Sequence, residues 1–434
     1  MYMNRFLRSL LPALLSLSVL LLSGCYSGGI DQYFSPPQPS EEYLQLQELI
    51  DEELSSGCEF AAPIQGSFRQ SVQFTDLDGD GMDEALVFLR GPDGTLKIHI
   101  YLSVNSVYRK VLTLTGEGRS VGSVDYADLD SDGRTDLIVT WQLTGNMNIL
   151  SVYSLENWSG ELLLSSDCSE YAVGDLTGDG LNELLVLRNV GTGSYMADMI
   201  TLRPDREPQA ASAVLSSGIY ALQRVSVVML AGGTPALLAE SLLDNGDLVT
   251  DVFSCREGSL VNLTLNRSTG VSETRRSYSL VYAQDIDGDG ITEIPHPQQL
   301  YSQGNGIFWS IAWYKYDAFG RAGLVLTTYH SVTDGWYLVL PDGWSTGLTV
   351  RRVDDVPGER AVILSRLDPG GSINDLIVIY TITGENRSER ARFEGRFVLL
   401  EESSTVYSAQ ILTPDMDPET ISSCFHRIYS DWNV

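Results

Sequence analysis

The stretch Asp76-Leu77-Asp78-Gly79-Asp80-Gly81-Met82-Asp83-Glu84 decides the fold that we expect for this chain. The same pattern returns in the segments 128–136, 175–183 and 285–293, and we call the four copies loops one to four. Every copy has oxygen-bearing side chains at positions 1, 3, 5 and 9 and a glycine at position 6. Four copies of one acidic pattern indicate a repeated structural unit.

The shared side chains are candidate ligands of a hard cation. Oxygen ligands at alternating positions let a short loop wrap around one ion, while the glycine makes the sharp turn and position 7 offers its backbone carbonyl. Calcium suits such a loop better than magnesium, which demands strict octahedral geometry. We therefore expect about four Ca2+ sites of this type. The predicted ligands are Asp76, Asp78, Asp80, Met82 and Glu84; Asp128, Asp130, Asp132, Arg134 and Asp136; Asp175, Thr177, Asp179, Leu181 and Glu183; and Asp285, Asp287, Asp289, Ile291 and Glu293.

The EF-hand begins with a similar pattern, but the sequence excludes it. An EF-hand needs a bidentate glutamate at position 12 and a helix on each side. Position 12 is valine in loops one to three and His296 in loop four. The flanks are strand-like, with segment 71–74 before loop one and segment 85–89 after it. The pattern thus predicts β-hairpins whose turns hold metal, and the alternative is that Asp-Gly turns merely shape the hairpins.

In these residues the loops resemble the FG-GAP/VCBS repeats of integrin-α-like β-propellers. The resemblance covers roughly residues 66–331 and implies that each blade carries a calcium hairpin between its first two strands. Thr177 departs from the pattern, because a hydroxyl replaces a carboxylate. We expect the calcium site of loop three to be the weakest.

The spacing of the loops also indicates a propeller. Asp76 and Asp128 are 52 residues apart, Asp128 and Asp175 are 47 apart, and Asp175 and Asp285 are 110 apart, or about two units. Each unit has room for four strands, as in a propeller blade. The long interval predicts a blade without ligands, with strands at 224–229 and 235–240 around a Gly232-Gly233 turn. Five blades are visible within residues 66–332, whereas integrins have seven.

The N-terminal residues 1–25 are interpreted as a lipoprotein signal peptide rather than part of the fold. Arg5 and Arg8 form its basic region, and an apolar run follows. The segment ends Leu22-Ser23-Gly24-Cys25, which resembles a bacterial lipobox. That resemblance implies that Cys25 is lipidated and holds the protein on the extracytoplasmic face of the cell membrane. Residues 26–65 would then form a tether and a short helix at 41–56.

The sequence pattern changes in residues 333–434. They offer strands at 348–353, 361–364, 375–382 and 396–400, followed by a helix capped by Asp417, with Ile421, Phe425, Ile428 and Tyr429 on one face. We expect a small α/β domain, loosely resembling those of Gram-positive lipoproteins. The alternative is that these strands supply further propeller blades.

Composition excludes some functions. A formal net charge of −29 argues against nucleic acid as a partner. The sequence shows no zinc-type cysteine spacing, P-loop or dinucleotide fingerprint, and Cys58, Cys168, Cys255 and Cys424 show no deducible pairing. The leading interpretation is a non-enzymatic, lipid-anchored binding or scaffolding module for a protein or carbohydrate ligand. The alternative is an enzyme that acts on polysaccharide or cell wall, with its site on the propeller face or between the domains.

Overall fold

Antiparallel strands make up most of the chain in its computed structural model, which describes residues 40–428 except 146, 204–206, 303–305, 394 and 415. The predicted signal peptide, Cys25 and most of the tether lie outside the described residues. The first element is helix α1, Glu41–Ser55, and Ser40 caps it by accepting a hydrogen bond from the Tyr43 backbone N–H at 3.4 Å. Within the described ranges, no helix is both long and apolar enough to cross a bilayer.

Four sheets follow α1, each built from consecutive strands along the chain. The first sheet contains β1 (Glu59–Phe60), β2 (Val72–Thr75), β3 (Glu84–Arg90), β4 (Leu96–Ser103) and β5 (Tyr108–Gly116). The second contains β6 (Ser120–Ala127), β7 (Asp136–Thr144), β8 (Met147–Ser154) and β9 (Glu161–Cys168). The third contains β10 (Glu170–Gly174), β11 (Glu183–Gly191), β12 (Ser194–Thr201) and β13 (Gln209–Val214). The fourth contains β14 (Ile219–Leu230), β15 (Thr234–Leu243), β16 (Leu248–Arg256) and β17 (Ser259–Asn262).

The last two sheets exchange strands with each other. After a small hairpin of β18 (Leu265–Asn266) and β19 (Val271–Ser272), the fifth sheet runs in the order β20 (Glu293–Gln299), β22 (Trp309–Tyr316), β23 (Ala322–Ser331), β24 (Trp336–Val339) and β30 (Phe425–Arg427). The sixth runs in the order β21 (Tyr301–Ser302), β25 (Leu348–Val356), β26 (Glu359–Leu367), β27 (Ile373–Thr383), β29 (Thr405–Ile411) and β28 (Phe397–Glu401). Two short helices accompany them, α2 (Arg387–Arg390) and α3 (Pro418–Cys424). In the chain, β30 of the fifth sheet thus follows all the strands of the sixth sheet. Conversely, β21 of the sixth sheet lies between β20 and β22 of the fifth.

The sheets stack face to face because alternate residues of one strand point to opposite faces. In β7, Leu137 and Val139 pack against the first sheet, whereas Ile138 packs against the third. In β11, Leu184 packs against the second sheet and Leu185 against the fourth. Burial on both faces explains why the second strands read as continuous apolar runs. This succession of four-stranded antiparallel sheets is a β-propeller fold.

The predicted boundary at residue 333 falls inside the fifth sheet. Strand β24 pairs with β23 on one side and with β30 on the other. A single buried cluster also joins Trp336 of the fifth sheet to Leu364 and Ile379 of the sixth. A separate C-terminal α/β domain is therefore not confirmed, and the strands fit the alternative of further blades.

The predicted C-terminal helix needs a correction. Asp417 does cap it, accepting hydrogen bonds from the N–H groups of Glu419 and Thr420 at 2.9 Å, but the helix ends at Cys424. Phe425 begins β30 and pairs with Leu338, so it does not share a helical face with Ile421. The partner strand satisfies the backbone groups of segment 425–427, and this tertiary pairing overrides the helical periodicity. Tyr429 lies outside the described residues.

Candidate metal loops

The four acidic loops lie at corresponding places in the sheets. Loops one, two and three each join the first two long strands of the first, second and third sheets, and loop four leads into β20. This arrangement confirms the predicted hairpins at loops one to three, whereas loop four is closed only by a single antiparallel bridge between Gln284 and Glu293. The fourth sheet has a hairpin in the expected place, and its turn holds Gly232 and Gly233 at φ 82° and 73° instead of acids.

The first acid of each loop shapes the turn through the backbone. Asp76 accepts hydrogen bonds from the N–H groups of Gly79 at 2.7 Å and Gly81 at 2.9 Å. Asp128, Asp175 and Asp285 accept the equivalent pair of bonds in their loops. The position-5 acids accept a further N–H from position 7, for example Met82 N–H to Asp80 at 2.8 Å. Comparable bonds join Arg134 to Asp132, Leu181 to Asp179 and Ile291 to Asp289.

The last acid of each loop is buried. Glu84, Glu183 and Glu293 are 0% exposed and Asp136 is 1% exposed. One carboxylate oxygen of each accepts the backbone N–H of the second loop residue, at 2.8 to 3.0 Å. The other oxygen accepts no hydrogen bond in Glu84 and Glu293, and in Glu293 it lies 3.2 Å from the ammonium group of Lys315. The groups near this oxygen differ from loop to loop. They divide the loops into two kinds, those with a basic side chain among the acids and those without one.

In loops one and two, acids converge without a basic partner. One oxygen each of Asp76, Asp78 and Glu84 lies within 4.8 Å of the others, and Asp128, Asp130 and Asp136 form the same arrangement. Oε1 of Glu84 is buried and has no hydrogen-bond partner. Among the described residues, no Lys or Arg nitrogen lies within 4.0 Å of an acid of either loop. The donor set fits calcium, which takes several carboxylate oxygens in a flexible geometry.

Electrostatics make a cation favourable in these two loops. Burial, together with the neighbouring aspartates, raises the pKa of Glu84 to about 7, although the hydrogen bond from Leu77 opposes the shift. The same causes raise the pKa of Asp136 to about 7. A carboxylate that is buried beside like charges is costly to ionise unless an opposite charge is present.

In loop four, an ammonium group stands among the acids. Asp285, Asp287, Asp289 and Glu293 converge within 4.8 Å. Nζ of Lys315 lies 2.9 Å from Oδ2 of Asp287, 2.5 Å from Oδ2 of Asp289 and 3.2 Å from Oε1 of Glu293. These ion pairs raise the pKa of Lys315 despite an opposing effect of burial. The acids of loop four therefore already have a cation.

Loop three has a guanidinium group near two of its acids, from a residue just beyond the paired strand. Nη2 of Arg203 lies 3.4 Å from Oε1 of Glu183 and 3.6 Å from Oδ2 of Asp179. Thr177 donates a hydrogen bond to Asp175 at 3.4 Å and brings no charge. The structure thus brings together three predicted acids in each of loops one and two and four in loop four, whereas Asp80, Asp132 and the acids of loop three are not part of such a group.

The sequence interpretation missed Lys315 and Arg203. Strand pairing sets Lys315 directly opposite Glu293. In the first three sheets, the strand register continued by one residue sets Leu102, Ser154 and Thr201 opposite the position-9 acids. A lysine at that register position was the available sequence signal. It becomes readable only when the strands are aligned.

Four of the cysteines, together with His296 and His330, lie in the sheets or directly beside them. Cys58, Cys168, Cys255 and Cys424 are free thiols. His296 lies 2.9 Å from the hydroxyl of Tyr316, and burial lowers its pKa to about 4. The ring of His330 lies 2.8 Å from the hydroxyl of Thr328, and burial lowers the pKa of His330 to about 3.

A groove of about 820 Å3 lies between the fifth and sixth sheets. Trp309 stacks on Tyr278 there, with ring centroids 5.3 Å apart and planes at 26°. Arg351 and Arg352 line the side contributed by the sixth sheet, and Arg352 pairs with Asp354 at 3.0 Å. The groove combines aromatic faces with paired charges.

Comparisons with known proteins agree with a repeated acidic hairpin. Residues 66–139, which contain loops one and two, match the family model described as an FG-GAP-like repeat. No curated protein sequence matches the chain. Among solved structures, the chain is similar to the WD40 domain of SCAP from fission yeast, with 13% identity and a TM-score of 0.27. That alignment covers 76% of this chain and 66% of the other, just under two thirds of its length.

Proposed function

We propose that this protein is a calcium-stiffened β-propeller that acts as a binding module on the extracytoplasmic face of a bacterial membrane, held there by a lipid on Cys25. The observation that carries the calcium part is the unpartnered Oε1 of Glu84, which is fully buried beside Asp76 and Asp78. A buried, unsatisfied carboxylate oxygen is rare in folded proteins and calls for a partner. Calcium supplies both the charge and the coordination.

Calcium binding is tested by titrating the purified full chain and counting ions by calorimetry and native mass spectrometry. Asp78→Ala should remove one ion, because it removes a ligand of loop one. Asn245→Ala, in a turn of the fourth sheet away from the acidic loops, is the matched control and should bind as many ions as the unaltered protein. A chain that binds no calcium at physiological extracellular concentrations would contradict the proposal.

The groove between the fifth and sixth sheets is the proposed ligand site. Its size is that of a small-molecule or short-oligomer site, and stacked aromatic rings offer flat apolar faces with polar groups beside them. These features favour a carbohydrate. A glycan and peptidoglycan screen with the unaltered protein and Trp309→Ala should show binding that the variant loses. Phe319→Ala removes a ring that is 64% exposed elsewhere and should leave binding intact. Turnover of a bound glycan would favour the enzyme alternative.

The membrane anchor is tested at Cys25. Cys25→Ser should release the protein from membranes or block its maturation, because a serine cannot carry the thioether-linked lipid. Normal processing and full membrane partition of this variant would contradict the anchor.

A further inference from the structure

Lys315 and the acids of loop four form a closed ion cluster. The lysine side chain is 18% exposed, and its three acidic partners include Glu293, which is fully buried. The ammonium group donates hydrogen bonds to Asp287 and Asp289 and lies 3.2 Å from Oε1 of Glu293, an ion pair without a hydrogen bond. All three partners belong to the group of four acids that could hold a metal in this loop.

The cluster follows from strand register rather than from a chance surface contact. Lys315 projects from β22 opposite Glu293, the position that Leu102 and Ser154 hold beside loops one and two. A leucine or a serine there leaves the acids without a positive partner. In loop three, Arg203 contacts Glu183 and Asp179 from just beyond β12. This loop also has one acid fewer, because Thr177 stands where the other loops have an aspartate.

We propose that loops three and four are closed by cations of the chain itself, the Arg203 guanidinium and the Lys315 ammonium, and that calcium binds only loops one and two. This inference rests on the proposed calcium function and narrows it from four sites to two. Calcium could enter loop four only by displacing Lys315 from all three carboxylates. In loops one and two it displaces no ion pair with a described lysine or arginine.

The test is the number of calcium ions per full chain, measured by native mass spectrometry and calorimetry. The unaltered protein should bind two. Lys315→Met keeps most of the side-chain volume, removes the charge and should bind a third ion. Lys97→Met makes the same change at the far end of β4, away from loop one, and should bind two. The double variant Thr177→Asp with Arg203→Met completes the acids of loop three and should also gain one ion.

The outcomes separate this inference from the calcium proposal. Four ions on the unaltered protein, or no third ion on folded Lys315→Met, would overturn the inference that Arg203 and Lys315 take the place of calcium. Either result would leave the calcium proposal itself intact. No ions at all would refute both. If Lys315→Met does not fold, Asp289→Asn and Asp130→Asn decide the matter. Loss of an ion only in Asp130→Asn supports the inference, and loss of an ion in Asp289→Asn overturns it.

Discussion

The stability of Lys315→Met should depend on calcium in a way that the unaltered loop four does not. Without the lysine, Glu293 stays buried and the nearby Asp287 loses its positive partner. Removing one member of a buried ion pair typically costs 3 to 5 kcal/mol. Because Lys315 keeps some contact with solvent, we expect the low end, about 3 kcal/mol of unfolding free energy in a chelator.

Calcium should return much of that loss. A site that is vacated by the lysine gains RT ln(1 + [Ca]/Kd), which is about 1.4 kcal/mol at ten times the dissociation constant and about 2.7 kcal/mol at one hundred times. The unaltered protein gains this calcium-dependent unfolding free energy only at loops one and two. Lys315→Met should therefore gain the stabilisation of one additional calcium ion. Its unfolding free energy should approach that of the unaltered protein as the calcium concentration rises.

Urea unfolding of the unaltered protein, Lys315→Met and Lys97→Met, each in chelator and in a calcium series, measures both quantities. Hydrogen exchange of residues 285–299 shows whether the change lies at loop four, which guards against treating a many-sheet protein as strictly two-state. Lys97→Met should follow the unaltered protein in every condition. Equal stability of Lys315→Met and the unaltered protein in chelator would refute the role given to the lysine. If calcium stabilises Lys315→Met no more than it stabilises the unaltered protein, calcium does not replace the lysine ammonium in loop four.

Three further predictions test the fold and the loops. Asp78→Ala and Asp130→Ala should each remove one calcium ion and about 1.4 kcal/mol of calcium-dependent stability at tenfold excess, and calorimetric melts of both variants that still match the unaltered protein in calcium would contradict this. Gly116→Ala places a Cβ 2.1 Å from a buried tryptophan ring of the second sheet and should cost about 1–3 kcal/mol or more, whereas Gly323→Ala meets no atom within 4 Å and should be nearly neutral in urea unfolding. The folded-state pKa of His296, lowered to about 4, lies below its unfolded value, so its stabilising effect is present above pH 6.5 and is lost as pH falls toward 4. His296→Gln should flatten the decline between those values by up to about 1.4 kcal/mol per pH unit, and parallel curves for the two proteins would exclude this cause.

The sequence predicts the elements that local pattern controls. Helix α1 was expected at 41–56 and forms at Glu41–Ser55, with Leu46 and Ile50 packed on the first sheet. The ligand-free hairpin of the fourth sheet also forms around Gly232 as its spacing indicates. In each case the periodicity and the turn residues lie within about 20 residues of one another, so nearby residues carry the information.

The exchange between the last two sheets could not be predicted in this way. Strand β30 pairs with β24 across nearly a hundred residues of chain, from Trp336 to Arg427. Its three residues have no alternating pattern of their own, and the preceding helix makes a helical continuation locally reasonable. Strand β29, which pairs with both β27 and β28, was missed as well. Pairings between distant segments decide both cases, and one unaligned sequence does not display them.

The acidic motif alone does not reveal which loops need a metal. The acids at positions 1 and 9 hold the turn in all four loops through backbone hydrogen bonds, whatever cation is nearby. Their presence therefore reflects the shape of the hairpin as much as ion binding. The residues that discriminate lie outside the motif, at Lys315 across the hairpin of loop four and at Arg203 beyond that of loop three. A repeated calcium-type loop should therefore be judged together with the strand that follows its hairpin, because the neighbouring strand can supply a positive charge in place of calcium.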